Sequence, residues 1–145
     1  MSAKKRIHSF EHLRVEAEIE QLHQFFQDWY NGDIPHTGDV FERLENALAE
    51  GFRLITPGAQ IIERASILAV IKKDRNSRMA MRIWIEDVNI QHGFEEHVLA
   101  TYQEWQQRDG QTTVRLSSVL FRSNPELPNG FAWIYVHETW LDPTE

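Results

Sequence analysis

Apolar residues recur with helical spacing in the first part of the chain. Between Ser9 and Tyr30 they follow one another at intervals of four, three, four and three positions: Val15, Ile19, Leu22, Phe26 and Trp29. This spacing lines one face of an α-helix, which Gly32 can end. Asp39 followed by Glu42 resembles a capping box, so a second, shorter helix is predicted there, closed by Gly51.

The period of the pattern changes after the second helix. Two short β-rich segments flank the turn pair Pro57-Gly58 and predict a small hairpin. A third helix is predicted from about Arg64 to Lys73. From Met79 onward four long segments have strand character, separated by turns at His92-Gly93, at Asp109-Gly110 and in the stretch SNPELPNG. Helices followed by an antiparallel meander predict an α+β domain, in which one curved sheet folds around the helices.

Composition restricts the partners and the chemistry. With 15 basic and 22 acidic residues the net charge is −7, which disfavours nucleic acid and anionic membranes as partners. The chain contains no cysteine, which excludes disulfides and a cysteine nucleophile. It has no apolar run of roughly 18 residues, so a cytoplasmic protein without a membrane span is expected. No histidine pair has metal-site spacing, and there is no HExxH motif or glycine-rich phosphate loop. Neither a metal nor another cofactor is therefore expected.

The register of the hairpins predicts which side chains share a face. A two-residue type I′ turn at Asp109-Gly110 pairs Glu104 with Arg115 and Tyr102 with Ser117. In the last hairpin, pairing Arg122 with Phe131 sets Glu138 opposite Arg115 and Val136 opposite Ser117. The face that results is the predicted lining of a mostly apolar pocket: Met81, Ile83, Tyr102, Glu104, Arg115, Ser117, Val136, Glu138 and Trp140.

The opposite face of the predicted sheet is unusually aromatic. It contains Trp84, Trp105, Leu116, Trp133, Tyr135 and His137, with Val88 among its further members. A face of this composition is too apolar to be left exposed to water. In the run FAWIYVHETW, consecutive side chains point to opposite faces, so Glu138 is predicted to enter the pocket while His137 does not.

Four stretches together resemble a known superfamily: FFQDWYNGD, GFRLITPGAQIIERASILAVI, VRLSSVLFR and WIYVHETW. They are similar to the nuclear transport factor 2-like superfamily, which includes SnoaL-like polyketide cyclases, ketosteroid isomerase and the association domain of calmodulin-dependent kinase. The resemblance implies one domain over residues 1–145, with an ordered core of about 9–142. It also implies a cone-shaped, cystatin-like fold with three N-terminal helices in the concave face of the sheet, and a homodimer formed through the aromatic outer face.

A guanidinium between two carboxylates is the most chemistry-like feature of the predicted pocket. Arg115 is expected to anchor a small ligand with Tyr102 and Ser117, while Met81, Ile83, Val136 and Trp140 provide further contacts. Glu138 or Glu104 is the candidate general base. The alternative is a buried ion network that only orders the sheet. The position of the proton-donating acid of ketosteroid isomerase matches Val119 here, which argues against that enzyme's chemistry.

The hypotheses for function come from different classes. The first is a SnoaL-like protein that binds a small molecule in the cone. The second is an assembly or interaction module similar to the kinase association domain. An isomerase, cyclase or hydrolase that uses a pocket glutamate as its base is a further alternative. His23, within the first helix, could point inward, but a satisfied or solvated helix histidine is the favoured interpretation.

Overall fold

The computed structural model describes the backbone of residues 3–74 and 80–144, and the side chains of residues 11–74 and 80–144. Along the chain the elements are α1 (Ala3–Asn31), α2 (Gly38–Ala47), β1 (Leu48–Ile55), β2 (Ile61–Glu63), α3 (Arg64–Lys73), β3 (Arg82–Phe94), β4 (His97–Arg108), β5 (Gln111–Ser123) and β6 (Phe131–Leu141). The predicted order of helices and strands is confirmed. Met79, the predicted start of the third strand segment, lies outside the described residues.

The second helix differs from its prediction at both ends. Its N-cap is Thr37, which makes no side-chain capping bond, so the predicted capping box at Asp39 is wrong. The helix ends at Ala47 rather than at Gly51, because Leu48 is already extended with φ −88° and ψ 121°. Leu48 pairs with Trp133 of β6. This contact between distant parts of the chain turns the residues after Ala47 into a strand.

In the described part of the chain the strands form one six-stranded sheet in the order β2-β1-β6-β5-β4-β3. All neighbouring strands are antiparallel except β1 and β6, which are parallel. The three helices pack against one face of this sheet. The α+β class and the mainly antiparallel, cone-type fold are thereby confirmed.

The β4–β5 hairpin has the predicted register. Glu104 lies opposite Arg115, and Tyr102 lies opposite Ser117. The turn residues Asp109 and Gly110 have φ angles of 54° and 75°, as a two-residue type I′ turn requires. Because this turn is short and local, the sequence determines it well.

The β5–β6 register differs from its prediction by one residue at the start of β6 and by two residues further along. Phe131 pairs with Ser123 instead of Arg122, and a bulge in β6 adds the second residue, so Glu138 faces Ser117 and Trp140 faces Arg115. The predicted pairing of Glu138 with Arg115 is therefore wrong. Since side chains alternate with a period of two, the even displacement beyond the bulge leaves Glu138 and Trp140 on their predicted face.

A bulge in β6 changes the face of Trp133. The pairing steps from Phe121↔Trp133 to Leu120↔Tyr135, so Ile134 is an extra residue on β6. Trp133 consequently shares the inner face with Phe121 and is only 2% exposed. Its predicted place on the outer, dimer-forming face is wrong, whereas Tyr135 and His137 beyond the bulge do lie on that face.

The β3–β4 hairpin also departs from the predicted turn. The connection is Glu95-Glu96 rather than His92-Gly93, and a register shift lies between Glu86 and Asn89. Asp87, in this irregular stretch, has a φ of 56°. Val88 turns into the hydrophobic core, although alternation predicted it for the outer face.

Trp29 of α1 contacts both of the other helices. The indole of Trp29 lies among Phe25, Phe41 and His36 and donates a 2.8 Å hydrogen bond from Nε1 to the Ile71 carbonyl. This bond ties α1 to α3 at the side of the cavity described below. No helix in the described residues combines the length and the apolar character needed to cross a membrane.

Candidate functional site

A cavity of about 340 Å³ lies between the helices and the inner face of the sheet. Residues from all three helices and from strands β1, β3, β4, β5 and β6 form its wall. Most of the wall is aliphatic or aromatic: Leu22, Phe26, Leu44, Leu48, Phe52, Ile67, Ile71, Ile83 and Val136. The predicted inner-face pocket is thus present as a mostly apolar concavity, the usual form of a small-molecule site.

Ionisable groups are concentrated at one end of this cavity. His23 Nε2 lies 3.0 Å from Glu104 Oε1, and Gln106 donates a short hydrogen bond to Glu104 Oε2. Arg115 donates from Nη1 to Glu138 Oε1 at 3.3 Å. We call His23, Glu104, Arg115 and Glu138 the charged cluster. Glu104 and Glu138 are each 7% exposed.

The pairing within the charged cluster differs from the predicted guanidinium between two carboxylates. Arg115 forms an ion pair with Glu138, whereas Glu104 pairs with His23 of α1. The guanidinium of Arg115 also lies over the Trp140 ring, with Cζ 4.8 Å from the ring centroid. Although Glu104 lies opposite Arg115 on the neighbouring strand, its acceptors are used by other donors.

The pKa values of Glu104 and Glu138 are shifted in opposite directions by their surroundings. Burial acts to raise the pKa of Glu104, but the charge and hydrogen bond of His23, the charge of Arg115 and the hydrogen bond from Gln106 lower that pKa to about 2. Burial lowers the pKa of His23, yet Glu104 and the Ile19 carbonyl outweigh it and raise that pKa overall. Because both ring nitrogens of His23 face acceptors, this arrangement favours an imidazolium–carboxylate pair.

The pKa of Glu138 is raised, in contrast to that of Glu104. Burial, followed by the nearby charge of Glu104, raises the pKa of Glu138 to about 7, while Arg115 and His23 counteract part of this rise. A carboxyl group with this pKa can both hold and release a proton near neutral pH. The phenol of Tyr102 stays protonated, since burial and the charges of Glu104 and Glu138 raise its pKa well above 10.0.

The predicted ligand-binding residues fall into three groups. Ile83, Tyr102, Arg115 and Val136 line the cavity. Ser117 is fully buried beside Tyr102, outside the cavity wall.

Met81 and Trp140 lie outside that wall as well. They border a neighbouring depression of about 290 Å³, which shares Gln106 and Arg115 with the cavity. Within the described residues, no group of three His, Asp or Glu side chains is arranged to hold a metal ion.

The outer face of the sheet retains most of its predicted aromatic residues. Trp84 and Trp105 stack with their ring centroids 5.8 Å apart and their planes 16° from parallel. Leu116 on the same face is 36% exposed. Tyr135 and His137 form an edge contact at 6.4 Å.

Comparison with known families identifies the chain. Residues 15–142 match the family described as sucrose-6-phosphate phosphohydrolase C-terminal. The chain belongs to the sucrose-6-phosphate phosphohydrolase C-terminal family. It is 22% identical over 129 residues to sucrose-phosphatase 2 and 21% identical over 128 residues to sucrose-phosphatase 1, both from Nicotiana tabacum. Each match covers 86% of this chain but 30% of the tobacco protein.

Solved structures place this member of the family in a wider fold group. An NTF-2-like protein of unknown function from Pseudomonas aeruginosa superposes with a TM-score of 0.80 at 22% identity, covering 89% of this chain and 99% of that one. A putative calmodulin-dependent kinase II association domain from Exiguobacterium sibiricum gives a TM-score of 0.54 at 15% identity, with coverages of 99% and 97%. At such identities the likeness concerns the fold alone, and it confirms the predicted nuclear transport factor 2-like fold.

Two residues at the polar end of the cavity, His23 and Gln106, were not among the predicted site residues. His23 is 4% exposed, and it follows Leu22 and lies four residues after Ile19. It therefore lies on the apolar face of α1. This position indicates a buried side chain, and the prediction for His23 did not take it into account. Gln106 lies two residues after Glu104 on β4 and so shares its face.

Sequence reasoning also missed a buried glutamate that positions part of the cavity wall. Glu18 is 1% exposed. Its carboxylate accepts hydrogen bonds of 2.8 Å from Arg43 Nη2, 2.9 Å from Asn129 Nδ2 and 2.8 Å from Trp133 Nε1. Because Trp133 lines the cavity, this network orients one of its aromatic walls.

Proposed function

We propose that this chain binds a small, mostly apolar molecule that has one polar end. The observation that supports this proposal is the asymmetry of the cavity, whose apolar walls lead to a single charged cluster. A ligand would bury its apolar body against residues such as Phe26 and Ile67 and direct its polar end towards Arg115. The area removed from water would stabilise the complex by roughly 25 cal/mol per Å² of apolar surface.

The members of the charged cluster suit different roles in this proposal. Arg115 is the anchor, since its planar group can keep one edge on Glu138 and offer another to a ligand oxygen. Tyr102 is a further donor. If the bound molecule is also converted, Glu138 is the proposed base, because its pKa of about 7 allows proton transfer near neutral pH. Glu104 is poorly suited to that role, because His23 and Gln106 occupy its oxygens and its pKa is about 2.

Filling the cavity tests the proposal without changing its polar groups. Ile67 lines the cavity from α3, so Ile67→Phe should occupy part of the volume that a ligand needs. Val70 lies on the same helix but is 51% exposed, which makes Val70→Phe the matched control. Native mass spectrometry of purified protein detects a retained ligand. A thermal-shift screen of small apolar acids, amides and alcohols then identifies compounds that bind.

The expected result is loss of ligand mass and of the thermal shift in Ile67→Phe but not in Val70→Phe. Ligand affinity that is equal in the parent and both variants would mean that the ligand lies elsewhere. Ordered folding of Ile67→Phe is checked by its near-UV circular dichroism, which must match that of the parent.

Family membership adds one hydrophilic candidate to the same screen. The tobacco relatives are named sucrose-phosphatases, and this chain spans 30% of their length. Sucrose is therefore included as a candidate ligand for the depression beside the cavity. Gln106, Thr113 and Trp140 in its lining offer an amide, a hydroxyl and an aromatic ring, which are groups able to contact a polyhydroxylated molecule.

A second candidate function is assembly. The stacked Trp84–Trp105 pair and the partly exposed Leu116 favour a homodimer through the outer face of the sheet. Several structural neighbours are described as kinase association domains or hubs, which fits the same proposal. The dimer and the ligand-binding cavity use opposite faces of the sheet, so they are compatible.

Replacing one exposed leucine at a time tests the assembly. Leu116→Lys would place an ammonium group in the interface, where an unpaired charge costs several kcal/mol, and should give monomers in light scattering. Leu13→Lys is the matched control, because Leu13 is 59% exposed on α1. A parent protein that is monomeric, or a Leu116→Lys protein with the parent's mass, would rule out this interface.

A further inference from the structure

The charged cluster at the polar end of the cavity contains equal numbers of acidic and basic groups. Among the described residues that meet there, His23 and Arg115 supply two positive charges, and Glu104 and Glu138 supply two negative ones. The cavity walls contributed by α2 and α3 are apolar, with Leu44, Ile67 and Ile71 as examples. The net charge of the cluster is zero when all four groups are ionised, so a bound anion would leave one uncompensated negative charge.

Hydrogen bonding leaves only part of the cluster available to a ligand. Both oxygens of Glu104 are occupied, by His23 and Gln106. Both ring nitrogens of His23 are occupied as well, by Glu104 and the Ile19 carbonyl. Glu138 uses Oε1 for Arg115, while its Oε2 makes no hydrogen bond with the described residues. A polar group entering the cavity therefore meets Glu138 and Arg115.

We propose that the cavity takes an apolar monocarboxylic acid together with one proton, which Glu138 holds and donates in a hydrogen bond to the ligand carboxylate. This inference rests on the proposed ligand-binding function and names its ligand class. Arg115 donates to the ligand carboxylate from its guanidinium. No bond other than that to the proton changes: the proton leaves the solvent, binds Glu138 and stays there while the ligand is bound. The cluster with its ligand is then neutral again.

Electrostatics explain why the proton accompanies the ligand. Burying a third carboxylate without a proton would leave an unpaired charge, which costs several kcal/mol in a site shielded from water. Adjacent carboxylates in proteins avoid this cost by sharing a proton. The groups that face Glu138 are His23 from α1, Glu104 and Tyr102 from β4, and Arg115 from β5.

Glu138 is the group best able to accept this proton. Its pKa is about 7 without a ligand, and a second carboxylate beside it raises that pKa further. The protonated form of His23 is already favoured, because each ring nitrogen faces an acceptor and Glu104 raises its pKa. Glu104 is held ionised with a pKa of about 2.

Isothermal titration calorimetry with octanoate tests the proton directly. At each pH, the observed enthalpy in two buffers that hold that pH and differ in ionisation enthalpy gives the number of protons taken up. We expect about one proton per octanoate at about pH 8.5 and close to none at about pH 5.5, where Glu138 is already protonated. The affinity for octanoate should fall about tenfold per pH unit above about pH 8, which is the linkage expected for one proton.

Two controls test whether proton uptake depends on the charge of the ligand and on Glu138. Octanamide has the same apolar body but no charge, so its binding should involve no proton uptake at either pH. Glu138→Gln keeps the side-chain shape and should bind octanoate without proton uptake and with an affinity that is independent of pH over this range. The pH dependence of the octanoate-to-octanamide affinity ratio in the parent protein provides the same information if the variant fails to fold.

The outcomes distinguish this inference from the proposed function. Octanoate binding without proton uptake at about pH 8.5, or with the same uptake in Glu138→Gln, overturns the inference and leaves the ligand-binding function intact. Binding of octanamide but not of octanoate at about pH 5.5 has the same consequence. Failure of both compounds to bind overturns the inference and the proposed apolar ligand class together.

Discussion

Replacing Glu138 with Gln should make the folded protein more stable at alkaline pH. Glu138 is 7% exposed, and burial together with the charge of Glu104 raises its pKa to about 7. The folded state therefore binds this proton more tightly than the unfolded chain does. Glutamine has nearly the same shape and keeps an oxygen that can accept the Arg115 hydrogen bond, but it never ionises.

The size and sign of the effect follow from linkage. A carboxyl whose pKa is raised on folding stabilises the protein fully below its unfolded pKa, and this contribution is lost as the pH rises through the folded pKa. The rise from 4.5 to about 7 corresponds to about 3 kcal/mol, at about 1.4 kcal/mol per pKa unit. Relative to the parent, the Gln variant should gain about 3 kcal/mol between about pH 4.5 and about pH 8.

Urea unfolding at several pH values measures this gain. Tryptophan fluorescence reports the transition, since the chain has 5 tryptophans, and the difference in unfolding free energy between variant and parent is plotted against pH. Glu126→Gln is the control, because Glu126 is an exposed carboxylate in the β5–β6 loop. A difference for Glu138→Gln that stays constant from about pH 4.5 to about pH 8 would refute the electrostatic account of this residue.

Two further predictions concern stability alone. Glu18→Ala should lower the unfolding free energy by about 3–5 kcal/mol, since it leaves Arg43 and Trp133 Nε1 without their buried acceptor. Urea unfolding measures this loss, and a loss no larger than that caused by changing an exposed glutamate would contradict the prediction. Gly110→Ala should cost about 1–2 kcal/mol, because Gly110 has a φ of 75° and the added methyl group meets no atom within 4 Å, so only backbone strain is involved. Gly51→Ala in β1 is the control and should be neutral or slightly stabilising.

Several patterns that depend on neighbours in sequence were predicted correctly, although the capping box at Asp39 and the turn at His92-Gly93 were not. The α3 bounds and the β4–β5 register are examples, since a helical stripe and a two-residue turn are specified by residues a few positions apart. The faces of Glu104, Arg115 and Glu138 follow from strand alternation, and they survived a two-residue error in the β5–β6 register because that error was even.

Bulges and contacts between distant segments could not be predicted in this way. Trp133 turned inward because Ile134 is an extra residue opposite β5, and the burial of its ring and the Glu18 acceptor stabilise this arrangement. Likewise, α2 ended early because Leu48 pairs with β6. Each of these outcomes is a free-energy difference between competing tertiary arrangements, and no local pattern encodes it.

The chemistry of the cavity divides in the same way. The sequence by itself determined that two glutamates and an arginine share the inner face of the sheet, because alternation along a strand is a local geometric property. Only the tertiary structure decided which of the two glutamates has the lower pKa. His23 reaches Glu104 from 81 positions away in the chain, so that one carboxylate gains a cation and a pKa of about 2 while the other has a pKa of about 7. A pKa depends on distance and burial, and those are set by how α1 packs on the sheet.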